Sequence, residues 1–190
     1  MNRDYGFRLI IIAACILLSA CQSTQQAWDR MRIKQAQDHN VSLNTVQIFC
    51  TGAEECEFSR LDQVDIVHPE TKRVNAKAIR QGWVAMTTQA SSDHAMFLKV
   101  PAKQHELVVR FYPISKDKAE VFHLIHRFEA KQRYTLKMYR QRANHMNSLL
   151  KVSAPTPLCV DLVQEQKTLR RFCRPYDVLT GVSEFVEQKI

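Results

Sequence analysis

The fold is decided by the stretch Val121-Phe122-His123-Leu124-Ile125-His126-Arg127-Phe128 together with Arg133-Tyr134-Thr135-Leu136-Lys137-Met138. In an extended chain, successive side chains point to opposite faces. The mostly apolar face of the first run carries Phe122, Leu124, His126 and Phe128, and that of the second carries Tyr134, Leu136 and Met138. This alternation predicts two half-buried antiparallel strands.

Similar short runs, rich in Val, Ile, Phe, Tyr and Thr, extend from this stretch in both directions along the chain. We predict strands at residues 43–50, 56–67, 82–88, 95–100, 105–114, 121–130, 133–140, 149–153, 158–164 and 168–174. No helical period separates these runs, which recur at a spacing of about ten residues. The expected fold class is therefore all-β, an antiparallel β-sandwich rather than a parallel α/β sheet.

The chain divides into four segments, of which residues 42–176 form the predicted sandwich domain. Residues 21–41 are rich in Gln and predict a tether, in which a short helix also fits. Trp28 in this tether either rests at a membrane interface or docks on the domain. The tail, residues 177–190, predicts a short C-terminal helix, because its apolar residues recur at helical spacing. These residues are Val178, Val182, Phe185, Val186 and Ile190.

Residues 1–20 have the composition of a secretory leader. Arg3 and Arg8 precede an apolar run from Leu9 to Leu18. A bilayer span needs about 20 apolar residues, whereas a signal peptide needs only about 7 to 15, followed by small residues. The run is therefore too short to span a bilayer, and it predicts a signal peptide and export from the cytoplasm.

The leader ends in Leu18-Ser19-Ala20-Cys21, which closely resembles the lipobox of bacterial lipoproteins. The resemblance implies that a diacylglyceryl group is attached to the Cys21 sulfur. Several buried acyl chains make such an anchor effectively permanent. By the sorting habit of the family, Gln22 implies the outer membrane, with the domain facing the periplasm or the cell surface. The alternative is an ordinary signal peptide followed by an unmodified cysteine.

Six cysteines occur in the chain, and four remain once Cys15 and Cys21 are set aside. An even number in an oxidising compartment predicts disulfides, and four cysteines allow three connectivities. We favour pairing between sequence neighbours, because each pair brackets a stretch that looks like a hairpin. These pairs are Cys50 with Cys56, and Cys159 with Cys173. Free buried thiols or a zinc site are the alternatives, although neither spacing matches a zinc knuckle.

The chain is basic, with a formal net charge of +8. Removing residues 1–20 takes away two basic residues and one acidic residue and leaves +7. Outside the cytoplasm an anionic partner would be lipid phosphate, glycan or an acidic protein rather than nucleic acid. A basic cluster near the C-terminus predicts either a site for an anionic ligand or a charged strand that resists aggregation. It comprises Lys167, Arg170, Arg171 and Arg174, and a second group comprises Arg133, Lys137, Arg140 and Arg142.

Catalytic and metal-binding patterns do not emerge from the sequence. His123 and His126 fall on opposite faces of one predicted strand, so they cannot share a metal ion, and they meet His94 or His105 only through the fold. Ser115-Lys116-Asp117-Lys118 has the spacing of a serine nucleophile and its lysine, but it falls in a predicted turn and lacks the accompanying motifs. We therefore expect neither enzymatic activity nor a cofactor or bound metal.

A second resemblance covers Leu98 to Tyr112 and Phe128 to Leu136. These stretches are similar to a recurrent pattern in small envelope lipoproteins, which implies a transthyretin-like sandwich. Lys131 stands where that pattern has a turn glycine, and the pattern carries no functional residues across.

These features together predict a non-enzymatic outer-membrane lipoprotein. Its sandwich would bind another envelope protein as a scaffold or assembly subunit, such as a component of a secretion machine. Two other functions remain open: a periplasmic binder of anionic glycan or lipopolysaccharide, and an enzyme with an unrecognised site. The sequence leaves the oligomeric state open.

Overall fold

The protein folds into an all-β sandwich, as the alternating pattern predicts. The computed structural model describes residues 28–37, 44–87, 96–141, 156–174 and 183–190. The strands are β1 Thr45–Thr51, β2 Glu55–Leu61, β3 Val64–Asp65, β4 Val84–Met86, β5 Met96–Pro101, β6 Gln104–Ser115, β7 Lys118–Arg127, β8 Arg133–Arg140, β9 Leu158–Gln164, β10 Lys167–Arg174 and β11 Val186–Gln188. Two helices, α1 at residues 28–37 and α2 at Ala76–Arg80, accompany them.

Two sheets pack face to face. The larger sheet has the strand order β11-β10-β9-β8-β1-β5-β4, and the smaller has the order β3-β2-β6-β7. Neighbouring strands run antiparallel, except that β1 pairs parallel with β8, in a register that sets Gln47 opposite Arg133. The antiparallel sandwich is therefore confirmed, with one parallel pair inside the larger sheet.

The core forms where the inward faces of the two sheets meet. On β7, Phe122 and Leu124 are buried whereas Val121, His123 and Ile125 are exposed, so the predicted alternation is confirmed. The largest fully buried side chains include Tyr134, Phe58, Phe111, Phe122, Ile33 and Ile48. Burying apolar surface stabilises a fold by about 25 cal/mol per Å², so this core is the main source of stability.

Both disulfides join the predicted pairs of cysteines, but one connects neighbouring strands of a sheet and the other connects the two sheets. Cys159 and Cys173 face each other across neighbouring strands β9 and β10. Cys50 and Cys56 belong to β1 and β2, which lie in different sheets, so this bridge links the two sheets instead of closing a hairpin. The intervening Gly52 has φ +93°, and a Cβ there would lie 1.9 Å from the Met138 carbonyl oxygen.

Three local features differ from the sequence prediction. The run predicted as one strand at 56–67 breaks at Asp62, which has φ 53°, into the hairpin of β2 and β3. Helix α2, capped by the Asn75 side chain, was not predicted. The expected C-terminal helix is wrong for residues 183–190, where Val186–Gln188 forms the edge strand β11 against β10. In this segment, backbone hydrogen bonding to β10 determines the structure despite the helical spacing of the apolar residues.

Part of the predicted tether is structured. Residues 28–37 form helix α1, and Ile33 in that helix belongs to the hydrophobic core. The short helix that fitted this segment therefore docks on the sandwich, while Trp28 remains exposed. Neither described helix is long and apolar enough to cross a bilayer.

Several predicted features lie outside the described residues. They are the signal peptide, Cys21, His94, Arg142, the strand at 149–153 and the first part of the C-terminal tail.

Candidate functional site

Strand β7 forms one edge of the smaller sheet. Within the described part of the chain it pairs only with β6, so the backbone on its other side has no strand neighbour. Its outward face carries Val121, His123 and Ile125, and Val121 and Ile125 are 45% and 59% exposed. We call the strand with these three side chains the β7 edge. A long edge strand with apolar outward residues is a surface that other chains can pair with.

Two arginines of β10 reach from the larger sheet to the β7 edge. Arg170 forks onto the Glu187 carboxylate at 2.7 Å on both oxygens, and its Nη1 donates to the Ile125 carbonyl oxygen at 2.9 Å. Arg174 forks onto Glu120 in the same way, at 2.6 and 2.7 Å. These contacts join the two sheets at this side, and hydrogen bonding to Arg170 holds the pKa of Glu187 below its ordinary value.

The third arginine of the predicted basic cluster points to the outer face of the larger sheet. Arg171 forks onto the buried Asp161 at 2.8 Å on both oxygens, and Tyr139 donates to the same carboxylate at 3.1 Å. The hydrogen bonds that Arg171 donates to Asp161 raise the pKa of this arginine. Lys167 is exposed at the start of β10. The structure therefore does not gather the cluster into one cationic patch, because each arginine holds a carboxylate of its own chain.

The second basic group is also dispersed. The Arg133 guanidinium stacks over the Phe49 ring at 4.2 Å, and Arg140 donates to the Thr156 carbonyl oxygen at 3.4 Å. Lys137 is exposed on β8.

A groove of about 470 Å³ runs between the β7 edge and residues 183–185. It is lined by Glu120, Val121, His123, Arg174, Ser183, Glu184 and Phe185. Phe185 also packs edge-on against Phe122 of the core, with ring centroids 5.4 Å apart. The groove therefore combines an apolar wall, an ion pair and a strand edge that has no strand partner among the described residues.

The opposite side of the sandwich carries a second cavity, of about 430 Å³. Its walls come from α1, the start of β2, the segment 66–75 and strands β4 to β6. They include Asp29, Arg30, Ile33, Glu55, Cys56, Glu57, Val67, Lys72, Val74, Met86, Met96, Tyr112 and Lys116. We call α1 and the segment 66–75 the α1 side, and β7, β10 and β11 the β7 side.

A closed hydrogen-bond network lies on the wall of this cavity. Lys72 Nζ donates to Glu57 at 2.9 Å and to Tyr112 Oη at 2.7 Å, while Tyr112 donates to Glu57 at 2.7 Å. Burial alone would lower the pKa of Lys72, but the bonds to Tyr112 and Glu57 raise it. The Lys72 amine is therefore held charged, unlike a nucleophilic lysine, whose pKa must fall.

Asp29 of α1 is buried beside this cavity. The guanidinium of Arg73 lies 3.7 Å from its Oδ1 and that of Arg32 lies 3.9 Å away, and this oxygen accepts no hydrogen bond in the described residues. The two cations offset the charge of Asp29 without donating a hydrogen bond to this oxygen, and Arg73 together with Ile33 holds α1 against the segment 66–75.

Of the histidines considered from the sequence, His105 and His126 pack against interior groups, and His123 lies on the surface. His105 is buried, with Nδ1 at 2.9 Å from Asp62 and Nε2 at 2.9 Å from the Pro101 carbonyl oxygen. His126 packs edge-on against Phe128 and Tyr134, and burial followed by the charge of Arg170 lowers its pKa. His123 lies on the exposed face of the same strand. No group of metal-binding side chains occurs in the described ranges.

The Ser115 to Lys118 motif lies in a turn, as the sequence predicts. Ser115 ends β6 and Lys118 begins β7, and the two pair across the hairpin. The lysine therefore stands at an exposed turn rather than beside a nucleophile in a pocket.

Comparison of the chain with protein-family models, with curated proteins and with solved structures finds no match. The candidate sites therefore stand on geometry alone.

No local sequence pattern indicates the Lys72 network. Its members are 15, 40 and 55 residues apart along the chain, and they meet because the segment 66–75 folds back onto β2 and β6. Such separations leave no local pattern to detect. The arginine pairs were missed for the same reason, since Glu120 and Arg174 are 54 residues apart.

Proposed function

We propose that this chain is a non-enzymatic outer-membrane lipoprotein, anchored through Cys21, whose sandwich binds another envelope protein at the β7 edge. The bound protein adds a strand or an extended segment along β7, so the lipoprotein acts as a scaffold or assembly subunit. Main-chain hydrogen bonds would supply affinity, and the groove beside β7 would supply selectivity.

The observation that carries this proposal is the free edge of β7. The strand is ten residues long, and Val121 and Ile125 expose apolar surface beside backbone groups with no strand neighbour in the described chain. Proteins usually protect long edges with charges, proline or bulges. Arg170 donates to the backbone of this edge at the Ile125 carbonyl oxygen, and it is already tied to Glu187.

The pairing of the arginines supports a protein partner over an anionic polymer. Binding to glycan or lipopolysaccharide through the basic cluster requires cations that are free to meet phosphate or carboxylate. Arg170, Arg171 and Arg174 are each matched by a carboxylate at 2.8 Å or less. A polymer that binds these three arginines would first have to displace their three internal ion pairs.

Photo-crosslinking in living cells tests the proposal directly. A photoreactive residue at position 125 should give a discrete protein adduct, because a bound strand would lie against it. The matched control is position 137, where Lys137 is also exposed but lies on the outer face of the larger sheet. Adducts absent from both positions, or equal at both, would contradict binding at the β7 edge.

A substitution sharpens the test. Ile125→Lys should remove the adduct formed from a photoreactive residue at position 121, because a charge then opposes the apolar contact. Lys137→Glu should leave that adduct unchanged. Circular dichroism of both variants checks that the sandwich remains folded.

A further inference from the structure

Helix α1 packs on the domain, and its buried residues define how it is rotated about its own axis. Ile33 is only 2% exposed and belongs to the core, and Asp29 is buried next to Arg73. Successive residues of a helix are rotated by about 100°. The buried positions 29 and 33 therefore determine which residues of α1 point away from the sandwich.

The outward face of α1 is apolar at its centre. Met31 lies almost opposite Ile33 on the helix, and Trp28 lies beside Met31 because residues three apart are neighbours on a helix. Trp28 is 61% exposed and Met31 is 50% exposed. Two large apolar side chains thus stand next to each other on the exposed face of a docked helix, with the exposed Gln35 beside them.

Cations flank this apolar centre on both sides. Arg30 and Lys34 lie on one flank and Arg32 on the other, and all three are exposed. Asp29 is the one acidic residue in positions 28–37, and it faces inward. A helix with a methionine and a tryptophan on its outward face and basic residues at the flanks suits the interface of an anionic bilayer.

The connection to Cys21 is short. Cys21 and Trp28 are seven residues apart in the sequence, which spans at most about 25 Å when fully extended. If Cys21 carries the acyl anchor, α1 stays within that distance of the membrane.

We propose that the outward face of α1 lies on the anionic lipid surface that holds the acyl chains of Cys21. Trp28 and Met31 enter the headgroup region, and Arg30 and Lys34 meet lipid phosphates. This contact orients the sandwich with its α1 side toward the membrane and the β7 edge away from it. The inference rests on the proposed lipid anchor, and it adds the orientation that the anchor alone does not set.

The chain provides its own matched probes, since Trp28 and Trp83 are its two tryptophans and Trp83 is partly buried against the core. Trp83→Phe leaves Trp28 as the reporter, and Trp28→Phe leaves Trp83. Each mature, acylated variant is reconstituted into vesicles of phosphatidylethanolamine and phosphatidylglycerol with bromine at shallow acyl positions. Tryptophan fluorescence then measures contact with lipid.

We expect quenching of Trp28 to exceed that of Trp83 at least threefold. Adding Met31→Asp to the Trp83→Phe variant should cut this quenching by half or more, because the apolar centre is lost. Protein that floats with the vesicles while Trp28 is quenched no more than Trp83 overturns the proposed orientation and leaves the anchor standing. Protein that does not float with the vesicles overturns the anchor and the orientation together.

Discussion

The two sides of the sandwich are closed by different chemistry. On the α1 side, Ile33 is buried among apolar residues of the core, and the helix covers the gap between the sheets. On the β7 side, Arg174 joins the sheets through its ion pair with Glu120, and Arg170 does so through its hydrogen bond to the Ile125 carbonyl oxygen. The backbone of β7 is left without a strand neighbour in the described chain. The α1 side thus leaves a helix face with Trp28 and Met31 exposed, whereas the β7 side leaves a strand edge with Val121 and Ile125 exposed.

The largest effect is expected from breaking the apolar closure. Ile33→Ala should lower the free energy of unfolding by about 3 to 4 kcal/mol, because a fully buried isoleucine leaves a cavity. Denaturant unfolding measures the loss. Met31→Ala, two residues away on the exposed face, is the control and should change stability by less than about 0.5 kcal/mol. Equal losses in the two variants would mean that α1 does not dock through Ile33.

The disulfides come next. Replacing Cys159 and Cys173 by Ala should cost about 3 kcal/mol, because the bridge closes a loop with a sequence separation of 14. Replacing Cys50 and Cys56, separated by 6, should cost about 2 kcal/mol. Thermal melts under oxidising conditions compare the pairs. A larger loss for the Cys50–Cys56 pair would show that linking the sheets matters more than loop length.

A smaller effect is expected from the ion pairs of β10. Asp161→Asn should destabilise the fold by about 1 to 2 kcal/mol, because Asp161 is buried and the substitution leaves Arg171 without its charge partner. Glu187→Gln, whose partner Arg170 is bound at the surface, should cost less than about 1 kcal/mol. Chemical denaturation ranks the two variants, and a reversed order would contradict the assignment of Asp161 as the buried member.

The smallest effect concerns pH. Burial and then Arg170 lower the pKa of His126, so the folded state binds fewer protons than the unfolded chain just below the ordinary histidine pKa. Stability should therefore fall as the pH drops from about 7.5 to 5.5. His126→Gln should flatten this decline, while His123→Gln, on the exposed face, should not. Parallel curves for the parent and the His126→Gln variant would refute the contribution of His126.

Much of the fold follows from local pattern. The bounds of β8 and β9 agree with the alternation of Tyr134, Leu136 and Met138 and with the run at 158–164. The β6–β7 turn and both disulfide pairings were also readable. Each of these features depends on residues that are close in the sequence, so composition and spacing carry them.

The remaining features depend on contacts between distant residues. Nothing local in Gln47 indicates that β1 pairs parallel with β8, and the tail at Val186 follows a helical spacing yet completes a sheet. The candidate sites were predictable only in part. The basic cluster of β10 could be predicted from the sequence, but its ion-pair partners Glu120, Asp161 and Glu187 could not.

The functions proposed for both sides require an acyl anchor at Cys21, because the anchor puts α1 at the membrane and the β7 edge among envelope proteins. Intact-mass spectrometry of the protein purified from membranes tests this requirement most directly. The account predicts a mature chain that begins at Cys21, lacks residues 1–20 and carries the mass of its acyl groups on the first residue. A mature chain without acyl groups, or one that retains Met1, would contradict it.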